Sequence, residues 1–435
     1  MDFRKSILLQ DRFHNVIPGG AHTYAKGDDQ FPENFAPYIQ RGEGCHVWDV
    51  DGNEFIEYGS GLRAIGLGHA FKPVIDAAFQ QMRDGSNFIR PSALELEVAE
   101  KFLAFLDGAD MVKFGKNGSD ATSAAVRLSR AYTQRNLIAI CRNHPFFSVD
   151  DWFIGTTPIS SGIPQETRNL ILKFEYNDIE SVTNLFNEHP GNIACLMMEA
   201  EKEVPPRDGF LHKVQDLCKK NGTVFILDEM ICGFRLHTGG GQRFHSVVPD
   251  LSAFGKALGN GFSISALAGK RDIMELGGIR DSRERVFLLS LTHGAETHCL
   301  AAALEVMRIY EREPVINTLW ERGQQLAIGI NKTIAELNLA DFFQIIGRPC
   351  CMVYATRDEK REPSQPFRTL FLQETIKRGL LATSLVVNYS HSESDVERTI
   401  ESVSEALFVY RRAIDEGIDK YLVGRPVKPV FRRHS

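Results

Sequence analysis

An aspartate and a lysine stand at the ends of two short apolar runs, where side chains of these types can do chemistry. Residues 224–227 lead into Asp228, and residues 251–254 lead through a glycine to Lys256. Apolar runs with β-branched members, closed by a charged residue, predict buried parallel strands with a functional side chain at the carboxyl end. Ligands of open α/β sheets bind outside those ends. We therefore expect Asp228 and Lys256 to serve one ligand site.

The two side-chain types match the needs of one coenzyme. A lysine amine can hold an aldehyde as a Schiff base. A carboxylate beside a pyridine nitrogen keeps that nitrogen protonated, so that the ring accepts electrons. Lys256 and Asp228 together predict a site for pyridoxal 5'-phosphate. A lysine that extends from a strand end into solvent is the alternative for Lys256 considered alone, and the aspartate upstream argues against it.

The residues around this pair resemble a known family. Asp-Glu-Met-Ile-Cys-Gly-Phe-Arg at 228–235, Pro-Asp-Leu at 249–251 and Phe-Gly-Lys-Ala-Leu-Gly at 254–259 are similar to the coenzyme core of class III aminotransferases. The resemblance runs from about residue 10 to about residue 410. It implies the PLP-dependent transferase fold type I, an α/β architecture with a mostly parallel central sheet in a large domain. The implied large domain spans residues 76–324, and a small α+β domain combines residues 1–75 with 325–435.

The resemblance also assigns residues to the parts of the coenzyme. It places Gly118 and Ser119 at the phosphate, Phe146 on the ring face and Glu199 near the phenolic oxygen. It sends Thr292 to the phosphate of a neighbouring subunit, which implies a homodimer with shared active sites. A capped helix without a ligand is the alternative for the first two residues. For Phe146 the alternative is a place in the core beside the next phenylalanine.

Further patterns predict the elements that position these residues. Alternation around an Asp-Gly turn at 45–58 predicts a β-hairpin, and a helix is predicted after the turn at 115–119. Other predicted elements are strands at 137–141, 192–199, 263–269 and 286–289, a helix at 301–310, and a capping box at 392–395 that opens another helix.

Three cations are candidates for substrate binding. Lys26 stands where the aminomutases of the family have an arginine for the substrate carboxylate, and it lacks a bidentate fork. Arg63 and Arg90 lie in segments that reach the substrate in the family, and surface ion pairs are their alternative role. Residues 379–387 contain no acid, whereas the aminomutases carry a gate glutamate in a longer segment there. The resemblance therefore favours an anionic group on an unusual carbonyl substrate.

The predicted activity is amino transfer from an amino-acid donor to a specialised aldehyde or keto acceptor, with a sugar-derived compound as one candidate. Lys256 would hold the coenzyme and shuttle the proton as general base and acid. An aminomutase or an amino-acid racemase is the second interpretation, and a non-enzymatic descendant is the third. The presence of both Asp228 and Lys256 argues against the third.

Composition sets the broad class. The 435 residues exceed one ordinary core, and 43% hydrophobic with 24% charged residues is typical of a soluble globular protein. The net charge of -6 gives no reason to expect nucleic acid or a membrane as partner. No apolar run is long enough for a membrane span, and the N-terminus does not resemble a signal peptide. The eight cysteines lack zinc-ligand spacing, so we expect no metal and free thiols in the cytoplasm.

Overall fold

The structure is a computed structural model that describes residues 1–142 and 146–433. The chain divides into two compact units. Unit 1 consists of Met1–Arg63, Leu67–Phe71 and the described residues from Asn317 onward. Unit 2 consists of Ala64–Gly66 and Lys72–Ile316.

Thirteen strands lie in the described ranges. They are β1 (Ile39–Glu43), β2 (His46–Asp49), β3 (Glu54–Glu57), β4 (Met111–Gly115), β5 (Leu137–Cys141), β6 (Ile171–Phe174), β7 (Ile193–Glu199), β8 (Val224–Asp228), β9 (Leu251–Phe254), β10 (Ser265–Gly269), β11 (Phe343–Ile346), β12 (Val353–Thr356) and β13 (Leu380–Leu381).

Fifteen helical segments accompany them. They are α1 (Arg4–Val16), α2 (Ser60–Arg63), α3 (Lys72–Asp84), α4 (Ala93–Leu103), α5 (Gly118–Thr133), α6 (Asp151–Ile154), α7 (Gln165–Arg168), α8 (Ile179–Glu188), α9 (Phe210–Asn221), α10 (Gly240–Phe244), α11 (Arg271–Met274), α12 (Thr297–Arg312), α13 (Val315–Glu336), α14 (Gln365–Lys377) and α15 (Glu393–Glu416).

A seven-stranded sheet forms the centre of unit 2. Its strand order is β4-β10-β9-β8-β7-β5-β6. The five strands from β9 to β6 are parallel, and β10 pairs antiparallel with both β9 and β4. All seven residues of β7 and all five of β8 are buried. Burial on both faces explains why these strands are almost continuously apolar.

Helices cover both faces of this sheet. Alternate residues of a strand point to opposite sides, so Ile226 joins a core cluster with Ala124 and Leu128 of α5. Its neighbour Phe225 joins a second cluster with Val182 of α8 and Val214 of α9. The arrangement is an α/β layer structure, and it brings the carboxyl ends of β7, β8 and β9 to one edge.

Unit 1 contains a four-stranded sheet of order β1-β2-β3-β13 and a separate β11-β12 pair. The β2–β3 pairing is antiparallel, which confirms the predicted hairpin. β13 adds parallel to β3, with Leu380 opposite Ile56. Helix α15 begins at the predicted capping box, because the Ser392 N–H donates to Asp395 Oδ2 and the Asp395 N–H donates to Ser392 Oγ.

The predicted strand at 286–289 is wrong. Its residues form no strand, although Val286 and Leu288 are buried in the same cluster as α5. The Val286 N–H donates to the Leu276 carbonyl at 2.8 Å, and Leu289 has φ +45°, a left-handed conformation that interrupts a strand. The apolar pattern therefore indicates that these residues are buried, but it does not indicate that their backbone pairs with a strand.

Within residues 1–142 and 146–433, no helix is both long and apolar enough to cross a bilayer. Seven of the eight cysteines are buried, and Cys351 is partly exposed.

Candidate active site

Asp228 and Lys256 lie at the same edge of the unit 2 sheet. Asp228 is the last residue of β8 and pairs in register with Ala253 of β9. Lys256 follows that partner by three residues, directly beyond the end of β9. The carboxylate of Asp228 is buried, and the charge of Lys256 acts on it. The structure therefore brings together Asp228 and Lys256, as the sequence predicts.

Met230 connects these two motifs to the glycine-rich turn before α5. A Cβ atom added to Gly118 would lie 2.9 Å from Met230 Sδ, and one added to Gly255 would lie 2.8 Å from the same sulfur. A real Cβ atom essentially never lies within about 3 Å of another heavy atom to which it is not bonded. The turn, the aspartate strand and the lysine strand therefore converge on one small region, and glycine at both positions permits this approach.

The backbone of Lys256 is strained. Its φ is +47°, in the left-handed region that non-glycine residues rarely occupy and that costs of the order of 1 kcal/mol. It begins a short 3-10 turn that ends at Gly259. A lysine kept in such a conformation indicates that the position of its amine matters more than the local strain.

Burial controls the charge of Asp228. Withdrawal from water and, to a lesser degree, the charge of Glu229 raise its pKa to about 7, against the opposing effects of the Met230 N–H and the Lys256 amine. Asp228 Oδ1 accepts the Met230 N–H at 2.8 Å. A cation placed beside this carboxylate would restore its ionised form. The site is therefore suited to a protonated ring nitrogen.

Another buried carboxylate, Glu229, was not predicted from the sequence. It accepts the N–H groups of Gly241 and Gln242, both at 2.7 Å. Burial raises its pKa to about 7, with a further contribution from Glu199. Gly240 passes so close that a Cβ there would lie 2.6 Å from the Glu229 carboxyl group. The glycine triplet at 239–241 was the sequence signal for this contact.

The raised pKa of Asp228 predicts a pH-dependent stability of the coenzyme-free protein. Its ordinary value is 3.8, so between about pH 4 and pH 7 the unfolded chain releases a proton that the folded protein keeps. We expect the free energy of unfolding of the wild type to fall across this range relative to Asp228→Asn, by up to a few kcal/mol. Urea unfolding of both apo proteins at several pH values measures the difference. Parallel pH profiles would contradict the assignment.

The predicted phosphate site lies at the start of α5. Gly118 and Ser119 are its first two residues, and N–H groups at such positions have no acceptor within the helix. Asp120 Oδ2 instead accepts the N–H groups of Lys116 and Asn117, at 2.9 and 2.8 Å. Those bonds fix the turn and leave the next two N–H groups at a helix end that favours anions.

The loop after β5 is attached to the same helix. Ser119 Oγ accepts the Val149 N–H at 3.0 Å, and Thr122 Oγ1 donates to the Phe147 carbonyl at 2.7 Å. Phe147 is buried, whereas the side chain of Phe146 is 45% exposed and meets Phe153 edge-on with ring centroids 5.5 Å apart. The two phenylalanines are therefore not both core residues, and a face of Phe146 stays accessible.

Of the remaining predicted residues of unit 2, Glu199 is buried at the sheet edge, and Thr292 and Arg90 are exposed. Glu199 is the last residue of β7, is buried, and lies in register with Asp228. Thr292 is exposed, and its carbonyl accepts a hydrogen bond from Asn87 Nδ2 at 3.1 Å. Arg90 is also exposed, three residues beyond Asn87.

The other two predicted substrate residues belong to unit 1. Lys26 is exposed at the end of a short 3-10 turn. Arg63 is partly buried and ends α2. Ser60, Gly61, Leu62 and Arg63 all have positive φ, so α2 is a left-handed turn. Three of these four residues carry side chains and are strained there.

An ion pair beside the glycine turn was also missed. Lys116 Nζ lies 2.6 Å from Glu296 Oε2 and 3.3 Å from Cys299 Sγ, and His293 Nδ1 lies 2.9 Å from Glu296 Oε1. The Lys116 amine and, to a lesser degree, His293 lower the pKa of Glu296. Neither partner alone stands out in the sequence, since 180 residues separate them.

The described residues fit pyridoxal phosphate. A buried carboxylate with a raised pKa is present for the ring nitrogen, a sixteen-residue helix starts where the phosphate is expected, and Lys256 follows the neighbouring strand. Lys256 would hold the aldehyde, Asp228 the ring nitrogen, and Gly118 with Ser119 the phosphate. The bound coenzyme would supply an electron-accepting ring.

Comparison with known proteins agrees with this fit. The sequence profile of the aminotransferase class-III family matches residues 27–381. The glutamate-1-semialdehyde 2,1-aminomutase of Acetivibrio thermocellus is 29% identical, with 95% of this chain and 99% of the relative aligned. The corresponding protein of Methanosphaera stadtmanae is 34% identical over 63% of this chain and 66% of its own.

Solved structures show the same fold. The FumI protein of Sphingopyxis sp. MTA144, a structure with pyridoxal phosphate, superposes with a TM-score of 0.86 at 25% identity, covering 95% of this chain and 98% of its own. An omega-transaminase from Sphaerobacter thermophilus gives 0.84 at 23% identity, covering 94% and 99%. The chain therefore belongs to the class III aminotransferases, and it is a pyridoxal-phosphate-dependent enzyme of fold type I.

Proposed function

We propose that the enzyme transfers an amino group from an amino-acid donor to a specialised aldehyde or keto acceptor, with a sugar-derived acceptor as one candidate. The observation that carries the proposal is the common edge of β8 and β9, where Asp228 is buried under the influence of the Lys256 charge. An amine and a carboxylate in this relation can anchor the coenzyme and keep its ring protonated.

The predicted site residues have distinct roles in this proposal. Lys256 would hold the coenzyme through its amine, and the same amine, once free, would move a proton as general base and acid. Asp228 holds a proton on the ring nitrogen. Gly118 and Ser119 would hold the phosphate, Glu199 would serve the phenolic oxygen and Phe146 would serve the ring face. These roles combine the positions described above with the family resemblance.

Net amino transfer is favoured over isomerisation by the segment at 379–387. This segment contains no acid. Leu380, Leu381 and Leu385 are buried, and Ser384 Oγ donates to the Tyr58 carbonyl at 3.0 Å. A segment packed in this way offers no gate carboxylate to retain an intermediate. An aminomutase or a racemase is the second candidate, supported by the aminomutase relatives.

The visible spectrum of the purified protein tests the proposal. A band of coenzyme bound to Lys256 should bleach lastingly when L-glutamate is added alone, and an equivalent keto acid should appear. A band that shifts and then returns without a keto product would favour the mutase or racemase. No band, even after addition of pyridoxal phosphate, would overturn the role of Lys256.

An anionic group on the acceptor is the proposed ligand of Arg63, with Arg90 or Lys26 as a second cation. Charge-assisted hydrogen bonds contribute about 1.5–3 kcal/mol, so Arg63→Ala should raise the KM for 2-oxoglutarate by roughly 10- to 100-fold. The pyridoxamine form of the enzyme serves for the assay. Arg41→Ala is the control, because its guanidinium stacks on Trp48 at 3.5 Å. An unchanged KM for Arg63→Ala would exclude this role.

A homodimer with shared active sites completes the proposal. Ile75, Phe79 and Met82 form an exposed apolar stripe along α3 at helical spacing, and Ile89 is fully exposed. Asn87, beside Ile89, contacts the loop of Thr292. A second copy placed there would cover the stripe and receive Thr292 at its phosphate. Sedimentation should give twice the 48.8 kDa chain mass.

A further inference from the structure

Unit 1 contains a cluster of metal-binding residue types that the proposed amino transfer does not use. Cys45 is buried immediately before β2, His46 begins β2, and Asp395 lies in the first turn of α15. The sequence shows no metal-ligand spacing for this cluster, because Asp395 is 350 residues from Cys45. Their ligand atoms lie within 4.8 Å of one another in the structure.

The two donors converge on one carboxylate. Cys45 Sγ donates to Asp395 Oδ2 at 3.4 Å, and His46 Nε2 lies 3.0 Å from Asp395 Oδ1. In a tetrahedral zinc site, bonds of 2.0–2.3 Å place neighbouring ligand atoms about 3.3–3.6 Å apart. The two separations to Asp395 are close to this range, each to a different carboxylate oxygen, and the three ligand atoms all lie within 4.8 Å of one another. Adjustment of the side chains would bring them to the distances that zinc requires.

The surroundings orient the ligands. The N–H of Ser392 donates to Asp395 Oδ2 at 2.9 Å and its Oγ at 2.6 Å, so the carboxylate is held by the capping box. Glu54 Oε1 lies 2.8 Å from His46 Nδ1, an ion-pair contact without hydrogen-bond geometry, so Glu54 acts on this nitrogen through its charge. A carboxylate on that side favours the tautomer with the proton on Nδ1, which leaves Nε2 free to ligate. Metal-binding histidines in proteins generally have such a partner.

We propose that Cys45, His46 and Asp395 bind a zinc ion, with water at the fourth position. The thiol loses its proton on binding, and the histidine keeps its proton on Nδ1 beside Glu54. One Zn²⁺ then balances the thiolate and the carboxylate. The ion joins β2 to α15, and its binding energy adds to the stability of unit 1.

A second group of metal-binding residue types lies in unit 2 and allows a comparison with the first. Glu296, His298 and Cys299 in unit 2 also have ligand atoms within 4.8 Å. The Lys116 amine already lies between two of them, 2.6 Å from Glu296 and 3.3 Å from Cys299. A protein cation in that position competes with a metal ion, so this group is not expected to bind zinc. Cys299 therefore provides the matched control.

Cobalt substitution tests the site in the coenzyme-loaded enzyme. After removal of metals with EDTA, we expect one Co²⁺ per chain, with the intense long-wavelength absorption of a tetrahedral thiolate site. Zn²⁺ should abolish this absorption and raise the Tm. Cys45→Ser should lose the signal and Cys299→Ser should retain it. Glu54→Gln, which leaves all three ligands in place, should weaken Zn²⁺ binding about 10- to 100-fold.

Three results would overturn the site. They are the absence of a tetrahedral signal in the wild type, a signal that persists in Cys45→Ser, or one that disappears in Cys299→Ser. If Cys45→Ser fails to fold, unchanged Zn²⁺ affinity in Glu54→Gln excludes the site. None of these measurements depends on amino transfer.

Discussion

Turnover is expected to fall by at least about 10³-fold in Lys256→Ala, because the substitution removes both the covalent anchor and the group that moves the proton. Borohydride reduction followed by peptide mass spectrometry should find pyridoxyl-lysine at position 256 in the wild type and none in the variant. The fold should persist, since Lys256 lies beyond the end of β9 and alanine meets the same backbone strain at φ +47°.

Lys270→Ala is the matched control for this substitution. Its amine pairs with Asp250 at 2.5 Å near the surface, and exposed ion pairs contribute only about 0–1 kcal/mol. Its turnover should therefore stay close to that of the wild type. Wild-type turnover in Lys256→Ala, or covalent attachment to another lysine, would refute the assignment.

Asp228→Asn should reduce kcat by about 10²-fold or more while leaving the coenzyme attached to Lys256. Asparagine has the same shape and can still accept the Met230 N–H that now reaches Oδ1. It carries no charge, so it cannot stabilise a protonated ring nitrogen in a buried site, and preorganised charges of this kind contribute about 10²–10³-fold. Single-turnover kinetics with L-glutamate measures the effect.

The variant Asp228→Glu distinguishes the effect of the carboxylate charge from the effect of its exact position. It restores the charge on a longer side chain, and we expect it to recover more activity than asparagine does. Equal rates in Asp228→Asn and the wild type would mean that the ring nitrogen is not held by this residue.

The strands around the site were predictable from the sequence. β5, β7, β8 and β9 were each indicated by a short apolar run, and the charged residues that close β7 and β8 lie at the edge where they were expected. Burial on both faces makes such strands uniformly apolar, and that pattern is readable without any partner. The hairpin of unit 1 was predictable for a different reason, since its Asp-Gly turn is a local signal.

What could not be predicted depends on contacts between distant parts of the chain. Glu229 follows Asp228 directly, yet its role rests on N–H groups contributed by α10. Lys116 and Glu296 look like surface charges until the fold joins them. The apolar segment at 286–289 shows the opposite failure, because hydrophobicity predicts burial but does not say whether the backbone joins a sheet.

Unit 1 combines residues from both ends of the chain, and this affects how the protein folds during synthesis. Strand β3 is made early, but the strand that covers its edge, β13, is made more than 300 residues later. Unit 2 is nearly continuous in sequence. It can therefore fold before the C-terminal residues of unit 1 have been synthesised. Until the ribosome has released residue 381, β3 exposes an unpaired edge of the kind that recruits other chains. Nascent chains stalled before that point should therefore be the ones that depend most on chaperones.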